Sequence, residues 1–487
     1  MTGARPAARM QLVELADSDD EDAPGPARTA APEPGQDATT PPAGGTRARV
    51  RRWWPAAWVL VLVLAAAVVA TQVVARGAAA RADAIARLPG FVRPLDAPPA
   101  ELWRAPATGR TGVVPAAGHV VTVSDASGTW QVRAHDPRNG DVRWDADLVE
   151  TSPAGFDSVA VSCPPGTRGS ALVLCRWTEP RVVYSRSRET ADSVPPTRVR
   201  ALRAQDGAAA GTWSVADPLV GLRRAGDDLV VATVEPDRHV LVERRAGADG
   251  GVLWSHRSAD VLVTPGSGRI DPSLTVAGGV VVLSGDATTV LDARSGEVVA
   301  HGATGRQLVV APLPDGRFAT WASVGGAHLH EADGSRGVPV PGVPVRLAAD
   351  DRSVGVLLTD LGNRVAALDP DDGTVVWELA TSYSPVAAVD GAVVLWGDAA
   401  LGVADARDGT LLWEHRTGEA IPFAPVTDGR LVLGAEPDGP ERWALVARGL
   451  RDGVRVWSVP LPVGVTSLEG VGGVLVARTV TEAFVLG

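Results

Sequence analysis

The pattern of apolar and polar positions changes character twice along the chain. Residues 1–46 show no apolar periodicity and contain no Trp, Tyr, Phe or Ile; eight acidic residues and three arginines are spread among Ala, Pro, Gly and Thr. Such a segment buries too little apolar surface to offset the entropy of ordering, which predicts a disordered tail. Met10, Leu12, Val13 and Leu15, just ahead of the acidic run from Asp17 to Asp22, could anchor a short docking motif, but a solvated tail is the simpler reading. Residues 53–75 then carry no charge at all, and only Thr71 and Gln72 among them are clearly polar. From about residue 91 onward the pattern changes again, to short apolar runs separated by Gly, Asp, Asn and Pro. That pattern predicts many short strands joined by turns.

The uncharged stretch predicts one transmembrane helix at 53–75, because a bilayer core of about 30 Å takes about 20 apolar residues in helical form. Pro55 falls near its start, where a helix tolerates it. Trp53, Trp54 and Trp58 lie at the same end, where indoles favour the membrane interface. The late start and long apolar run argue against a cleaved signal peptide. Arg47, Arg49, Arg51 and Arg52 crowd the residues before the span, whereas Arg76, Arg81 and Arg87 are spread out after it. The denser basic cluster stays inside, so residues 1–52 are expected as an acidic cytoplasmic tail with a basic juxtamembrane end. Residues 76–90 read as a stalk and 91–487 as an ectodomain outside the cytoplasm.

Within 91–487 one pattern recurs: a short strand, a glycine turn, and a Trp four residues after the glycine. The clearest copies are 366–377 (AALDPDDGTVVW) and 403–413 (VADARDGTLLW). They contain Gly373 with Trp377, and Gly409 with Trp413. Gly140 with Trp144, Gly250 with Trp254 and Gly453 with Trp457 repeat the spacing, while Gly207 and Trp213 are two residues further apart. Gly296 and Gly334 open the same turn but are followed by Ala300 and Val338. Glycine accepts positive φ in a tight hairpin, and a large ring at a fixed distance from each turn can fill the wedge between neighbouring units. A second apolar pair of strands precedes each hairpin, as in 278–283 and 391–396. Four strands recurring at about 40 residues describe an all-β fold, a β-propeller of four-stranded blades.

The Asp-x-x-x-Gly-x-x-x-Trp hairpin with a preceding Ala-Leu-Asp resembles the repeat of pyrroloquinoline-quinone (PQQ)-type β-propellers. The resemblance runs from about residue 110 to the end, strongest at 366–377 and 403–413 and weakest between 296 and 341. It implies eight blades, within a range of seven to nine. Taken literally, an outer strand at 101–104 and inner strands at 473–486 would make nine, with a unit near 300–341 or 180–215 suspected of being miscounted. Quinoprotein dehydrogenases of that family hold a calcium ion with acidic and amide side chains, and pack a disulfide of adjacent cysteines on the quinone. Here Cys163 and Cys175 are the only cysteines, and Asn occurs only at 139 and 363. The resemblance therefore points to the family's non-enzymatic branch, scaffolds such as the barrel-assembly lipoprotein of outer membranes. No catalytic residue, metal ligand or cofactor site is assigned, and no PQQ is expected. The alternative is a divergent quinone-dependent oxidoreductase, or another enzyme working in the central channel.

Composition narrows the partners. Net charge is −11, which disfavours a nucleic-acid surface. The expected contacts are membrane lipid, through one helix, and another cell-envelope protein. Cys163 and Cys175 end two apolar stretches around Pro164, Pro165 and Gly166, a hairpin that an oxidising compartment could staple, two buried thiols being the alternative. His328 and His330 alternate on one strand face but lack a third ligand in sequence, and Asp369 to Gly373 reads as a tight turn, with its glycine one place early for a calcium loop. Protease added to intact cells should remove the ectodomain and spare a tag at the N-terminus; loss of the tag with a protected C-terminus would reverse the orientation.

Overall fold

Strands form here because apolar and polar residues alternate. In Thr129–His135, Trp130, Val132 and Ala134 are buried while Thr129, Gln131 and Arg133 are half-exposed. The computed structural model describes residue 72 and residues 76–487 apart from 78, 89, 110–111, 127, 152–158, 168, 179–195, 216–217, 262–271, 304–307, 314–315, 323–325, 346, 351–354 and 441. The tail at 1–52 and the apolar stretch at 53–75, Gln72 excepted, lie outside the described residues. Among the described residues no helix is long and apolar enough to cross a membrane.

Among the described residues successive antiparallel strands build nine sheets. Blades 1 to 8 span 113–150, 162–215, 219–257, 273–301, 309–340, 343–380, 384–416 and 426–460. Blade 9 joins three strands at 467–486 to Glu101–Pro106, which pairs antiparallel with Glu482–Leu486 and sets Trp103 opposite Val485. First strands of neighbouring blades touch, as Leu219–Ala225 does Ser273–Ala277 and as Val426–Thr427 does Ser467–Val471. They therefore surround the axis, and the fourth strands form the rim, where Val142, Val252, Leu253, Val375, Val376 and Val456 are exposed.

The count of nine corrects the favoured eight. Eight glycine turns join third to fourth strands, and in the ninth blade that place is taken by the ring closure itself. The two stretches suspected of miscounting belong to separate blades, 2 and 5, of three and four strands. In blade 2 the first strand shrinks to a single bridge, Ser162 opposite Arg176, closed by two backbone hydrogen bonds of 2.9 Å. Beside that bridge Cys163 and Cys175 form a disulfide, both fully buried. The covalent link thus stands where other blades have a ladder of backbone hydrogen bonds.

The fourth-strand tryptophans lie in the joints between blades. Each of six donates its indole N–H to a carbonyl in the next blade's last turn: Trp103 to Pro137 (3.2 Å), Trp144 to Ala204 (2.9 Å), Trp213 to Gly247 (3.1 Å), Trp254 to Ala293 (3.2 Å), Trp377 to Ala406 (2.8 Å) and Trp413 to Leu450 (3.0 Å). The ring lies flat on the turn glycine. At Gly409, where φ is +72°, an added Cβ would come within 2.6 Å of Trp377 Cε3. The register shifts between third and fourth strands at one equivalent place in blade after blade, for example at Ala367/Leu368, Val403/Ala404 and Ala447/Arg448. Such a bulge strengthens local twist and turns the outer strand toward its neighbour. Two joints lack the ring: the backbone of Val299 covers Gly334, and the Val338 side chain covers Gly373. Trp457 is buried, but its indole nitrogen has no hydrogen-bond partner among the described residues. Blade 9 has no such turn, because its third and fourth strands come from distant parts of the chain.

Residues 79–85 are helical, and the chain beyond them packs onto blades 7, 8 and 9. Ile85, Phe91 and Val92 are buried in the core of that sector. Phe91 bridges Thr427, and Val92 bridges Gly473. Arg81 pairs with Asp390 at 2.7 Å and with Asp350 at 3.2 Å. The stretch expected as a stalk is thus fastened to the ring at its C-terminal end.

Replacing Trp377 with Ala should cost about 3–5 kcal/mol, the usual loss for a large buried aromatic, and replacing the half-buried Trp413 should cost less; thermal unfolding of the full chain measures both. A midpoint within about one degree of the parent for both variants would mean that the joints do not rest on these rings. Converting both Cys163 and Cys175 to Ala should cost about 3 kcal/mol at most, since the closed loop is short; peptide mapping without reductant checks that the bond is present in the parent.

Candidate binding surface

The two faces of the ring differ in what the sequence puts on them. One carries the turns between first and second and between third and fourth strands, and receives the segment 79–96. The other carries the turns between second and third strands and the connections from blade to blade. Five further tryptophans among the described residues, Trp130, Trp177, Trp321, Trp396 and Trp443, sit at the end of a second strand or the start of a third. All five therefore belong to the second face. Trp130 and Trp177 are buried there, and Trp321, Trp396 and Trp443 are half-buried. The sequence repeat, keyed to distance from a turn glycine, does not mark them. Their position beside the opposite turn does, but it shows only after the strands are placed.

Blade 7 opens a cleft of about 600 Å³ on this face, lined by Ser382, Tyr383, Ser384, Trp396, Asp398 and Arg416 among others, within the usual size range of ligand sites. Gly397 lets Tyr383 lie against the backbone, since a Cβ there would fall 2.5 Å from the tyrosine ring. The Tyr383 hydroxyl donates to Glu414 Oε1 at 2.7 Å, and the same carboxylate accepts from Arg416 Nε. Burial first, and then Glu414, push the Tyr383 phenol up. The hydrogen bond from Arg416, followed by that from Tyr383, holds the Glu414 carboxyl down. Both groups are moved away from neutrality, so neither is tuned for proton transfer near pH 7. Trp443 meets Phe423 edge-on, with ring centres 6.5 Å apart. Aromatic surface beside a fixed charged pair and two serines suits binding.

The other sequence-derived candidates have structural partners. Gly140, Gly250, Gly373, Gly409 and Gly453 lie in turns with positive φ, and Trp144, Trp254, Trp377, Trp413 and Trp457 lie in joints or in the core, so none of these lines the cleft. His330 Nε2 lies 2.9 Å from Thr320 Oγ1, and its ring stacks on Phe318 at 4.9 Å. Asp369 accepts from the Gly373 and Asp371 amides in a closed turn. Among the described residues no group of three or more His, Cys, Asp or Glu could hold a metal ion. The Cys163–Cys175 disulfide joins neighbouring strands inside the core between blades 1 and 2. It does not fit the role of an adjacent-cysteine bridge lying on a bound quinone.

A family model described as outer membrane protein assembly factor BamB matches residues 361–481, from the last two strands of blade 6 into blade 9. No curated protein sequence matches. Among solved structures, BamB from Moraxella catarrhalis is 16% identical with a TM-score of 0.43, covering 80% of this chain and 99% of that one. A europium-containing methanol dehydrogenase is 12% identical with a TM-score of 0.41, covering 81% and 88%. The quinohemoprotein alcohol dehydrogenase ADHIIG from Pseudomonas putida HK5 is 12% identical with a TM-score of 0.34, covering 76% and 77%. Nothing about function follows from likenesses of this size. The repeated hairpin, the ring it builds and the matched family model agree: the described residues form a β-propeller, and its residues 361–481 match the PQQ-repeat family model.

Proposed function

We propose that this chain is a membrane-anchored scaffold, whose propeller stands outside the cytoplasm and binds a cell-envelope protein on the face carrying Trp321, Trp396 and Trp443. The observation that supports this reading is the division of labour among the tryptophans. One set, in which Trp213, Trp254 and Trp413 are also half-buried, lies on turn glycines and donates to carbonyls of the next blade, whereas Trp321, Trp396 and Trp443 are half-buried on one face with no such turn to rest on, and partly exposed aromatics are the residue type that anchors interfaces. The uncharged stretch at 53–75 supplies the anchor, with the arginine-dense residues before it on the cytoplasmic side. The scaffold works without PQQ or a metal ion. A family model described as an assembly factor is in keeping with a role exercised through partners.

The test is crosslinking of the full chain in its native membrane, comparing the parent with Trp396→Ala, Trp443→Ala and, as a control on the rim, Val375→Ser. One or both face variants should weaken capture of the same partner by about 2 kcal/mol, roughly thirtyfold, with the rim variant unchanged. Equal capture by both correctly folded face variants would remove this face from the interaction.

A further inference from the structure

The cleft of blade 7 holds one charge that the fold does not use. Two charged side chains line it, Asp398 and Arg416. Arg416 is already bonded through Nε to Glu414, the carboxylate that also accepts from Tyr383. The Asp398 carboxylate has no hydrogen bond or ion pair among the described residues. It stands in the short turn between the strands Ala392–Gly397 and Ala400–Asp405. There only its backbone carbonyl is engaged, accepting from the Ile421 amide, while the residue stays exposed. Trp396, near the end of the first of these strands, lines the same cleft. Its indole nitrogen is buried without a partner among the described residues, so the ring meets the cleft through carbon. An indole face beside a bare carboxylate favours a cation, since the ring quadrupole attracts it and the carboxylate pairs with it. Arginine suits both at once, because its planar guanidinium stacks on an aromatic ring and presents a fork to a carboxylate.

The surroundings carry the same sign. In blade 8 the corresponding turn, between Leu431–Pro437 and Trp443–Gly449, holds Asp438 a few residues before Trp443. The Asp438 side chain also has no partner among the described residues, and neither has Glu419 in the connection between the two blades. Arg442 is the one cation of this turn and connection left unpaired among the described residues. His415 and Arg448 both lie on Glu436, at 3.2 and 2.8 Å. With a net charge of −11 on the chain, electrostatic complementarity favours a basic segment on this side of the ring.

We propose that the cleft of blade 7 seats an arginine side chain of the partner protein, its guanidinium stacked on Trp396 and paired with Asp398. This rests on the scaffold reading above and deepens it, by giving the chemistry of the partner's anchor: an arginine on a basic segment. Arginine is among the residues that carry most of the energy of protein interfaces.

Fluorescence anisotropy on the full chain in non-ionic detergent tests this. The probes are a dye-labelled peptide of alternating glycine and arginine, and its counterpart with citrulline, which keeps the shape of arginine without the charge. The parent should bind the arginine peptide about tenfold more tightly than the citrulline peptide. Asp398→Asn, in an exposed turn, should lose that preference and bind the citrulline peptide as the parent does. Asp371→Asn removes the same charge from an exposed turn on the other face and should keep the preference. The proposal is overturned if the parent does not prefer arginine, if Asp398→Asn keeps the preference, or if Asp371→Asn loses it equally. The peptides need no envelope partner, so this result stands apart from the crosslinking. Partner capture lost in Trp396→Ala but kept in Asp398→Asn would overturn the arginine seat and leave the aromatic face in place.

Discussion

Everything in this molecule depends on one contact, the indole of a fourth strand lying on the glycine turn of the next blade. A four-stranded sheet has two apolar faces and cannot cover either by itself. The tryptophan supplies a broad ring for the gap that widens toward the rim, and its N–H satisfies a carbonyl the turn would otherwise leave open, as from Trp377 to Ala406. Glycine is required on the receiving side for two reasons at once: positive φ, and the absence of a Cβ where the ring must lie. Because each blade meets mainly its neighbours, stability is built joint by joint. The joints onto Gly334 and Gly373 use Val299 and Val338 in place of an indole, and the first of them is filled by the buried Phe318.

Closure and anchorage are combined at the opposite sector. Glu101–Pro106 completes blade 9 by pairing with Glu482–Leu486, so the ring cannot shut until both ends of the propeller have met. The segment just before it spans blades 7 to 9, with Arg81 on Asp350 and Asp390, the Leu95 amide on Asp428, and Asp96 on Arg430. Contacts separated by about 270 or more residues in sequence close slowly, because the entropy of the loop is lost before the contact forms.

Function is kept away from this framework. The joint tryptophans are spent on packing, and their indole nitrogens, Trp457 excepted, on neighbouring carbonyls. The cleft of Tyr383, Trp396 and Arg416 lies at the other end of the strands, where turns and connections can vary without loosening a joint. Blade 2 departs from the pattern in its own way: a disulfide and one bridge replace its inner strand.

The fold was legible in the sequence because its repeat is enforced locally. A turn such as Asp369 to Gly373 and a ring at Trp377 must keep their spacing in each unit, and spacing survives in a linear string. The same logic misjudged the blade number, since the ninth unit has no turn glycine. Its strands come from residues 101–106 and 467–486, and only pairing in space makes them one sheet. The aromatic face escaped for a related reason. Trp130, Trp321, Trp396 and Trp443 share no fixed interval, and lie on one side of the ring because each flanks a second turn.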